Sequence, residues 1–377
     1  MTEAIRPAKQ RVLVPVLALV SVIAIAFVVA PIIQRHPSAK HQDDAPFGAY
    51  AGYLWPGRVS SMRGAWSVPT IATGSRTGFG TTWIGVHGST KVGAFIQVGT
   101  AELRADSHDQ TAGNRYWAFW SDTAHHFHPV FLFSTQPRDD VTATLARART
   151  GWFITIVDET SHRQARFATA EEGAAPFADA QWAQEDPVDS TGARYAYPSL
   201  PAVEFSRLEV NGAPPSFSSV YSSWMSVNDV DLAPTELTHD GFRLHAAKPT
   251  PDGVRYLRTS DRWINAARSF GAIFERRAQP SGAEVLAAST RFSAAMRQGI
   301  RSLGSTPLPA STRRPVSSVI RALRSLEEQA QASPGRGVGG LVSWRSSLAA
   351  AWNALFEREH RVRRALGIPE FTPRSRL

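Results

Sequence analysis

The 377-residue sequence contains no cysteine. That excludes a disulfide framework, a thiolate zinc or iron–sulfur site and a cysteine nucleophile. It leaves the compartment open, because an exported protein can also lack cysteine. Two other signatures are missing. There is no HExxH, which removes the helical zinc pattern, and no GxSxG, which removes the strand–turn–helix serine elbow. No short internal repeat stands out. Charged residues make up 19% against 43% hydrophobic, so the chain is not a disordered polyelectrolyte and has apolar residues enough for a core. At about 150 residues per domain the length suggests two or three units, although a β-sandwich can run longer as one.

Lysine is absent from residues 251–377, where all 21 basic residues are arginine. With 9 acidic residues this third of the chain carries net +12. Residues 46–250 hold 15 basic and 20 acidic residues, net −5, and residues 1–45 are net +2. Such asymmetry predicts at least two units with different surfaces.

Val12 to Ile33 is apolar apart from Ser21. At 1.5 Å per residue it is long enough for a hydrocarbon core of about 30 Å. The run exceeds the usual signal-peptide core, and cleavage after Ala30 would set Pro31 against the scissile bond. An uncleaved anchor is the expectation, with a cleaved signal or a buried helix as the alternatives. Arg6, Lys9 and Arg11 precede the run, which favours a cytoplasmic N-terminus and an extracytoplasmic remainder. Residues 34–46 read as a tether.

From residue 47 to about 247, short runs of Val, Ile, Trp, Phe and Tyr alternate with Gly, Pro, Asp and Ser. Examples are 81–88, 93–100, 115–122, 140–147 and 151–159. This predicts an all-β, double-sheet antiparallel sandwich or a barrel. In 93–100, period 2 puts Gln97 on a face with Phe95 and Gly99. So apolar a strand gives a neutral amide either a cross-strand hydrogen bond or a functional role. In 180–187, Gln181, Ala183 and Glu185 share a face. Glu185 and Asp186 are either a coupled carboxylate pair or two solvated acids at a strand end.

These segments, in this order, resemble the glutamic peptidases (eqolisins) over about residues 48–247. Ala49 to Tyr53 resembles the family's opening Asn-Trp-Ala/Gly-Gly stretch, and Trp66-Ser67-Val68-Pro69 its strand ending in Val-Pro. Trp83-Ile84-Gly85-Val86-His87-Gly88 resembles its Trp-Val-Gly-Ile-Asp-Gly motif. Ile96-Gln97-Val98-Gly99 resembles its Leu/Ile-Gln-Thr-Gly, and 180–186 its Ala-Glu-(Phe/Trp)-Ile-(Ile/Val)-Glu-Asp. Pro201 to Phe205 and the region from Trp224 to Leu244 also look like the family. The resemblance implies a lectin-like double-sheet sandwich, a polypeptide substrate and a catalytic pair, Gln97 and Glu185. It implies no metal and no other cofactor. Glu185 would act as general base and acid through a bound water, and Gln97 would stabilise the oxyanion, with an acidic optimum. Tyr50, Trp66, Trp83, His87, Phe119, Ser121, Asp122 and Gln181 are the implied substrate-binding or supporting positions. Several depart from the family. His87 stands for an aspartate and Gln181 for a glutamate. Ser121 also stands for a glutamate, with Asp122 one position on. A histidine titrating near pH 6.5 could move activity toward neutrality. It could equally mark a non-catalytic sandwich that binds peptide or carbohydrate at the cell envelope, the alternative reading. A structural envelope protein is a third.

Ala124 to His128 holds three histidines, but no acidic or Cys ligand follows at a zinc spacing, so a polar strand end is expected. Gly335 to Gly340 formally fits GxGxxG; a Ser-Pro precedes it rather than a strand, and it reads as a linker. Beyond residue 250 the apolar period becomes helical. Trp263, Ala267, Phe270 and Phe274 fit one face, and Leu341, Trp344, Leu348, Trp352 and Leu355 another. Three or four helices are expected between 254 and 366, with Asp261 capping the first and Pro315 in a first turn. Their arginines read as solvated faces or as a surface for anionic lipid or envelope polymers, with nucleic acid not expected. The expected organisation is thus 1–11 cytoplasmic, 12–33 transmembrane, 34–46 tether, 47–247 glutamic-peptidase-like sandwich and 248–377 arginine-rich helices.

Overall fold

Alternating apolar and polar runs closed by turn residues fold as strands, and fifteen of them pair here into two antiparallel sheets. The computed structural model describes residues 48–88, 94–105, 113–125, 127–169, 175–187, 195–276, 280–332 and 337–370. The seven-stranded sheet runs β12(Tyr221–Ser223), β1(Tyr50–Val59), β10(Phe177–Glu185), β3(Gly78–His87), β4(Phe95–Ala105), β5(Gly113–Asp122), β6(Val130–Ser134). The eight-stranded sheet runs β13(Met225–Val227), β14(Val230–Pro234), β15(Gly241–Ala247), β11(Glu204–Val210), β2(Ser61–Ser67), β7(Asp140–Arg147), β8(Trp152–Asp158), β9(Arg163–Thr169). The expected double-sheet sandwich is therefore present, followed by helices.

Between the sheets lies one apolar core. Ile84, Val86, Ile96, Val98, Ala180 and Trp182 supply it from the first sheet, and Trp66, Val141, Ala143, Leu145, Ile154 and Phe205 from the second. The seven-stranded sheet is also covered on its outer face. Phe79, Trp83, Ala101, Leu103, Phe119 and Ala183 form a second cluster there, flanked by Tyr50, Phe95, Trp117 and Phe131. Apolar residues on both faces explain why nine of the ten residues of β3 are buried.

Four helices follow: α1(Pro251–Arg276), α2(Gly282–Ser305), α3(Arg313–Gln331) and α4(Gly337–Ala365). Asp261 is not a cap. Thr250 takes that place, its Oγ1 accepting the Gly253 N–H at 3.0 Å, with Pro251 as first helical residue. Asp261 then falls mid-helix. Ser281 and Glu284 form a capping box at the start of α2. Pro315 lies in the first turn of α3, as expected. Gly337 to Gly340 open α4 instead of forming a linker. Trp263, Phe270, Phe292, Leu323, Trp344 and Trp352 form the helical core, which also takes in Trp224 and Ala233 from the sandwich.

The helices are seated on the β12 edge. Tyr221 stacks on His360 of α4 (ring centroids 3.6 Å apart, 8° between planes) and donates to Glu357 Oε1 at 2.9 Å. Arg364 binds Glu370 at 2.7 Å and donates to the Val220 carbonyl at 2.9 Å. The Glu370 N–H donates to the Ser222 carbonyl at 2.9 Å, so the exposed sheet edge is closed. Among the described residues no helix is long and apolar enough to cross a membrane. The expected anchor, 12–33, lies outside the described residues, as does the tether.

Candidate active site

The outer face of the seven-stranded sheet gathers most of the residues singled out in the sequence. Register places them in rows across the strands. Gln181 (β10) lies opposite Gly85 (β3), which lies opposite Gln97 (β4), which lies opposite Ser121 (β5). The next row is Ala183, Trp83, Gly99 and Phe119, and the one after is Tyr50 (β1), Glu185, Thr81 and Ala101. On the other side of the Gln97 row lie Asp179, His87 and Phe95. Period 2 puts all these side chains on one face.

Gln97 and Glu185 are four residues apart along the strands and two strands apart. In a flat sheet that leaves about 7 Å between the two side-chain heads when each reaches toward the other. The indole of Trp83 spans the interval. Its Nε1 donates to Glu185 Oε2 at 2.8 Å. Its far edge lies over Gly85, where an added Cβ would come within 2.9 Å of the Trp83 ring. At Gly99 a Cβ would meet the Thr82 carbonyl oxygen at 2.1 Å and Trp83 at 2.6 Å. Gly85 thus makes room for the ring on the sheet, and Gly99 for the close approach of the Thr82–Trp83 backbone. Tyr50 and Phe95 enclose it, at 6.0 and 5.6 Å between ring centroids.

Each end of the Gln97 side chain has its own setting. Nε2 donates to the Ser121 hydroxyl at 2.7 Å, while Oε1 is buried with no protein partner. Ser121 itself is fully buried. In the neighbouring row His87 Nδ1 sits 3.7 Å from Asp179 Oδ2, and Gln181 Nε2 donates to Asp179 Oδ1 at 2.9 Å. Phe119 lies in the aromatic floor.

Trp66 and Asp122 do not join this face. Trp66 is on β2 of the other sheet and points into the sandwich, where its Nε1 donates to Thr100 Oγ1 at 3.0 Å. Asp122 follows Ser121, so alternation turns it inward. It is fully buried, Oδ1 accepting from the His125 N–H at 2.9 Å and Oδ2 from Thr169 Oγ1 at 3.1 Å. Both belong to the scaffold. His125 lies in the turn after β5 rather than on a strand, and His126 lies outside the described residues. Among the described residues no group of three or more His, Cys, Asp or Glu could hold a metal.

The sequence reading missed two features. Asp179 is one; period 2 along β10 from Glu185 through Gln181 would have found it. The other is a polar layer behind the outer face, where Glu102 accepts from Thr100 Oγ1 at 2.7 Å near Thr82, Gln184 and Tyr197. Burial pushes the Glu102 carboxyl well above the usual carboxylate range. A groove of about 830 Å³ lies elsewhere. It lies on the outer face of the eight-stranded sheet beside Asp140, Thr142, Glu204 and the Arg207–Glu159 pair at 3.4 Å.

A carboxylate and a neutral amide thus lie on one aromatic-floored face of an antiparallel sandwich. Residues 48–226 match the model of the Peptidase A4 family. That match falls within the sandwich and supports a glutamic-type peptidase. Two solved structures are similar to it. Scytalido-glutamic peptidase with a peptide-based transition-state analogue is 17% identical with a TM-score of 0.43, covering 53% of this chain and 98% of that one. SCP-B, an eqolisin in complex with the tripeptide Ala-Ile-His, is 18% identical with a TM-score of 0.42 and the same coverage. No curated protein matches the chain.

Proposed function

We propose that the chain is an endopeptidase in which Glu185 and Gln97 act on a peptide bond through one water. Glu185 takes a proton from the water as the water oxygen bonds to the carbonyl carbon. The carbonyl electrons move to oxygen, and a Gln97 N–H stabilises that charge. Glu185 then passes its proton to the leaving nitrogen as the C–N bond breaks. The observation that supports this reading is that Gln97 and Glu185 share one sheet face, with the Trp83 indole that donates to Glu185 lying between their rows. A carboxylate, a water, a carbonyl and an amide N–H in series fill about 7 Å to 9 Å at ordinary hydrogen-bond lengths. An amide stays neutral at every pH, so it never repels the base.

The reading includes a preference for acid, which the resemblance to the glutamic peptidases implies. It also holds the chain at a membrane through residues 12–33, with 34–377 extracytoplasmic. The helical region, net +12, would then face anionic lipid headgroups or envelope polymers.

The test is cleavage of an unfolded protein by the full chain from strongly acid to mildly alkaline pH, beside Glu185→Gln and Gln97→Ala. Each variant should lose about 10²- to 10⁴-fold in kcat. If the folded wild type cleaves nothing at any pH, the aromatic floor of Tyr50, Trp83, Phe95 and Phe119 is instead a binding surface for peptide or carbohydrate.

A further inference from the structure

We propose that Ser121 is a positioning residue that lets the Gln97 amide present either of its ends to the reacting peptide. The proposal rests on Gln97 being the catalytic amide. Three observations carry it. Ser121 lies directly opposite Gln97 in the ladder, on the same face. Its hydroxyl accepts the Gln97 Nε2–H at 2.7 Å with no exposure to solvent. The other end of the amide, Oε1, is buried and has no protein partner.

A buried carbonyl oxygen without a donor is unfavourable and awaits one. In this orientation Gln97 offers an acceptor, which suits the O–H of the attacking water. The water can then donate one proton to Oε1 while Glu185 accepts the other. The next stage requires the reverse. When the carbonyl oxygen gains charge it needs a donor, and Oε1 is an acceptor only. The two ends of an amide are alike in size, and its terminal torsion is broad and roughly two-fold. A half-turn therefore exchanges Oε1 and Nε2 without moving the chain.

What decides whether the turn is available is the group that holds the other end. A hydroxyl is one donor and two acceptor sites. Ser121 accepts from Nε2 before the turn and donates to Oε1 after it, so neither orientation leaves the amide unanchored. An ionised carboxylate only accepts. It would pin Nε2 toward β5 and leave the oxygen facing the substrate throughout, until a proton made it a donor. Serine therefore supplies the same support at every pH. The titratable groups around this row are His87 on β3, Asp179 and Glu185 on β10, and Asp122 with His125 behind β5.

The experiment is steady-state cleavage of a peptide substrate by the full chain, as wild type, Ser121→Ala, Ser121→Thr and Ser121→Glu, with thermal unfolding recorded for each. Ser121→Ala should lower kcat about 10- to 100-fold with KM within about twofold. Ser121→Thr, which keeps the hydroxyl, should restore kcat to within about fivefold of wild type. Ser121→Glu should add an ionisation to the kcat–pH profile that wild type lacks. The proposal falls if Ser121→Ala keeps its kcat, or if Ser121→Thr stays folded and fails to restore it. It also falls if Ser121→Glu has the wild-type profile. In each of these cases a wild type silenced by Glu185→Gln leaves the catalytic pair standing. A folded wild type that cleaves nothing overturns both.

Discussion

The sandwich and the helical unit bury polar groups in opposite ways. Behind the outer face the sandwich interior holds Thr82, Thr100, Gln184 and Tyr197 around Glu102, a carboxyl that burial drives toward its neutral form, while Asp122 is buried in hydrogen bonds to Thr169 and the His125 N–H. The helical unit buries full charges. Arg363 and Glu359 are 2.8 Å apart with side chains 2% and 4% exposed, and Arg364 meets the buried Glu370. In the sandwich the buried polar groups are thus held mainly by hydrogen bonds from hydroxyls and backbone. The Arg364–Glu370 pair holds the end of α4 against β12, while Arg363–Glu359 pairs within the helix.

The largest expected effect breaks the helical side of this contrast. Glu359→Leu leaves Arg363 buried and unpaired, which should cost about 3–5 kcal/mol in chemical denaturation. Adding Arg363→Met to it should recover most of that loss, because an apolar pair of similar volume needs no desolvation of charge. If the double variant is as unstable as the single, the pair is more than mutual compensation and the two interiors differ less than described.

The next effect is a pH dependence, and it belongs to the seam. His360 is stacked on Tyr221 and edge-on to Phe356, with Glu357, Glu359, Arg363, Arg364 and Glu370 around it. Burial, then the Arg363 charge, pushes its pKa down to about 3 from 6.5. The unfolded chain takes up this proton near pH 6.5 and the folded one resists it to about pH 3. Stability present above that window should therefore fall on acidification within it, by about 1.4 kcal/mol per pH unit for one proton. Glu370, raised by burial, acts in the opposite sense, its contribution being present in acid and lost as pH rises. The difference between wild type and His360→Phe isolates the histidine. A difference curve flat between pH 6.5 and 3 would mean that His360 is not held neutral. Acid that suits the proposed hydrolysis works against the seam.

Much of the working face was legible because strand geometry needs only parity. Gln97, Trp83, His87, Gln181 and Glu185 each occupy the outward position that period 2 assigns them. Asp122 was misplaced by one residue, and one residue in a strand is a change of face. Trp66 could not be excluded from sequence, since which sheet β2 joins is decided by pairing with β7 and β11, far along the chain. Helix starts were blurred because Asp261 and Thr250 are both good capping residues; what separates them is that Thr250 precedes Pro251. The docking of α4 depends on Trp224 entering the helical core and His360 meeting Tyr221, contacts without local periodicity.

A smaller effect sharpens the sandwich side. At neutral pH Glu102→Gln replaces a carboxyl already biased to its protonated form with an amide of similar shape. The change in stability should be about 1 kcal/mol or less, because the hydrogen bond from Thr100 can still be accepted. A loss of several kcal/mol, measured by denaturation at neutral pH, would mean that Glu102 is ionised in the folded sandwich.

The smallest effect asks whether charge supports the helical unit everywhere or only at its seam. Arg297 on α2 lies 3.6 Å from Glu327 on α3, with the arginine side chain 49% exposed. Water screens such a pair, and holding two long side chains together costs entropy that offsets most of the attraction. Arg297→Gln should therefore shift stability by no more than about 0.5 kcal/mol, less still at high salt, measured by denaturation beside Glu359→Leu. A loss approaching that of Glu359→Leu would make arginine architectural across all four helices. A negligible one keeps the exposed arginines free for contacts outside the chain and leaves Arg364, with Glu370, as the ion pair that seats the helices.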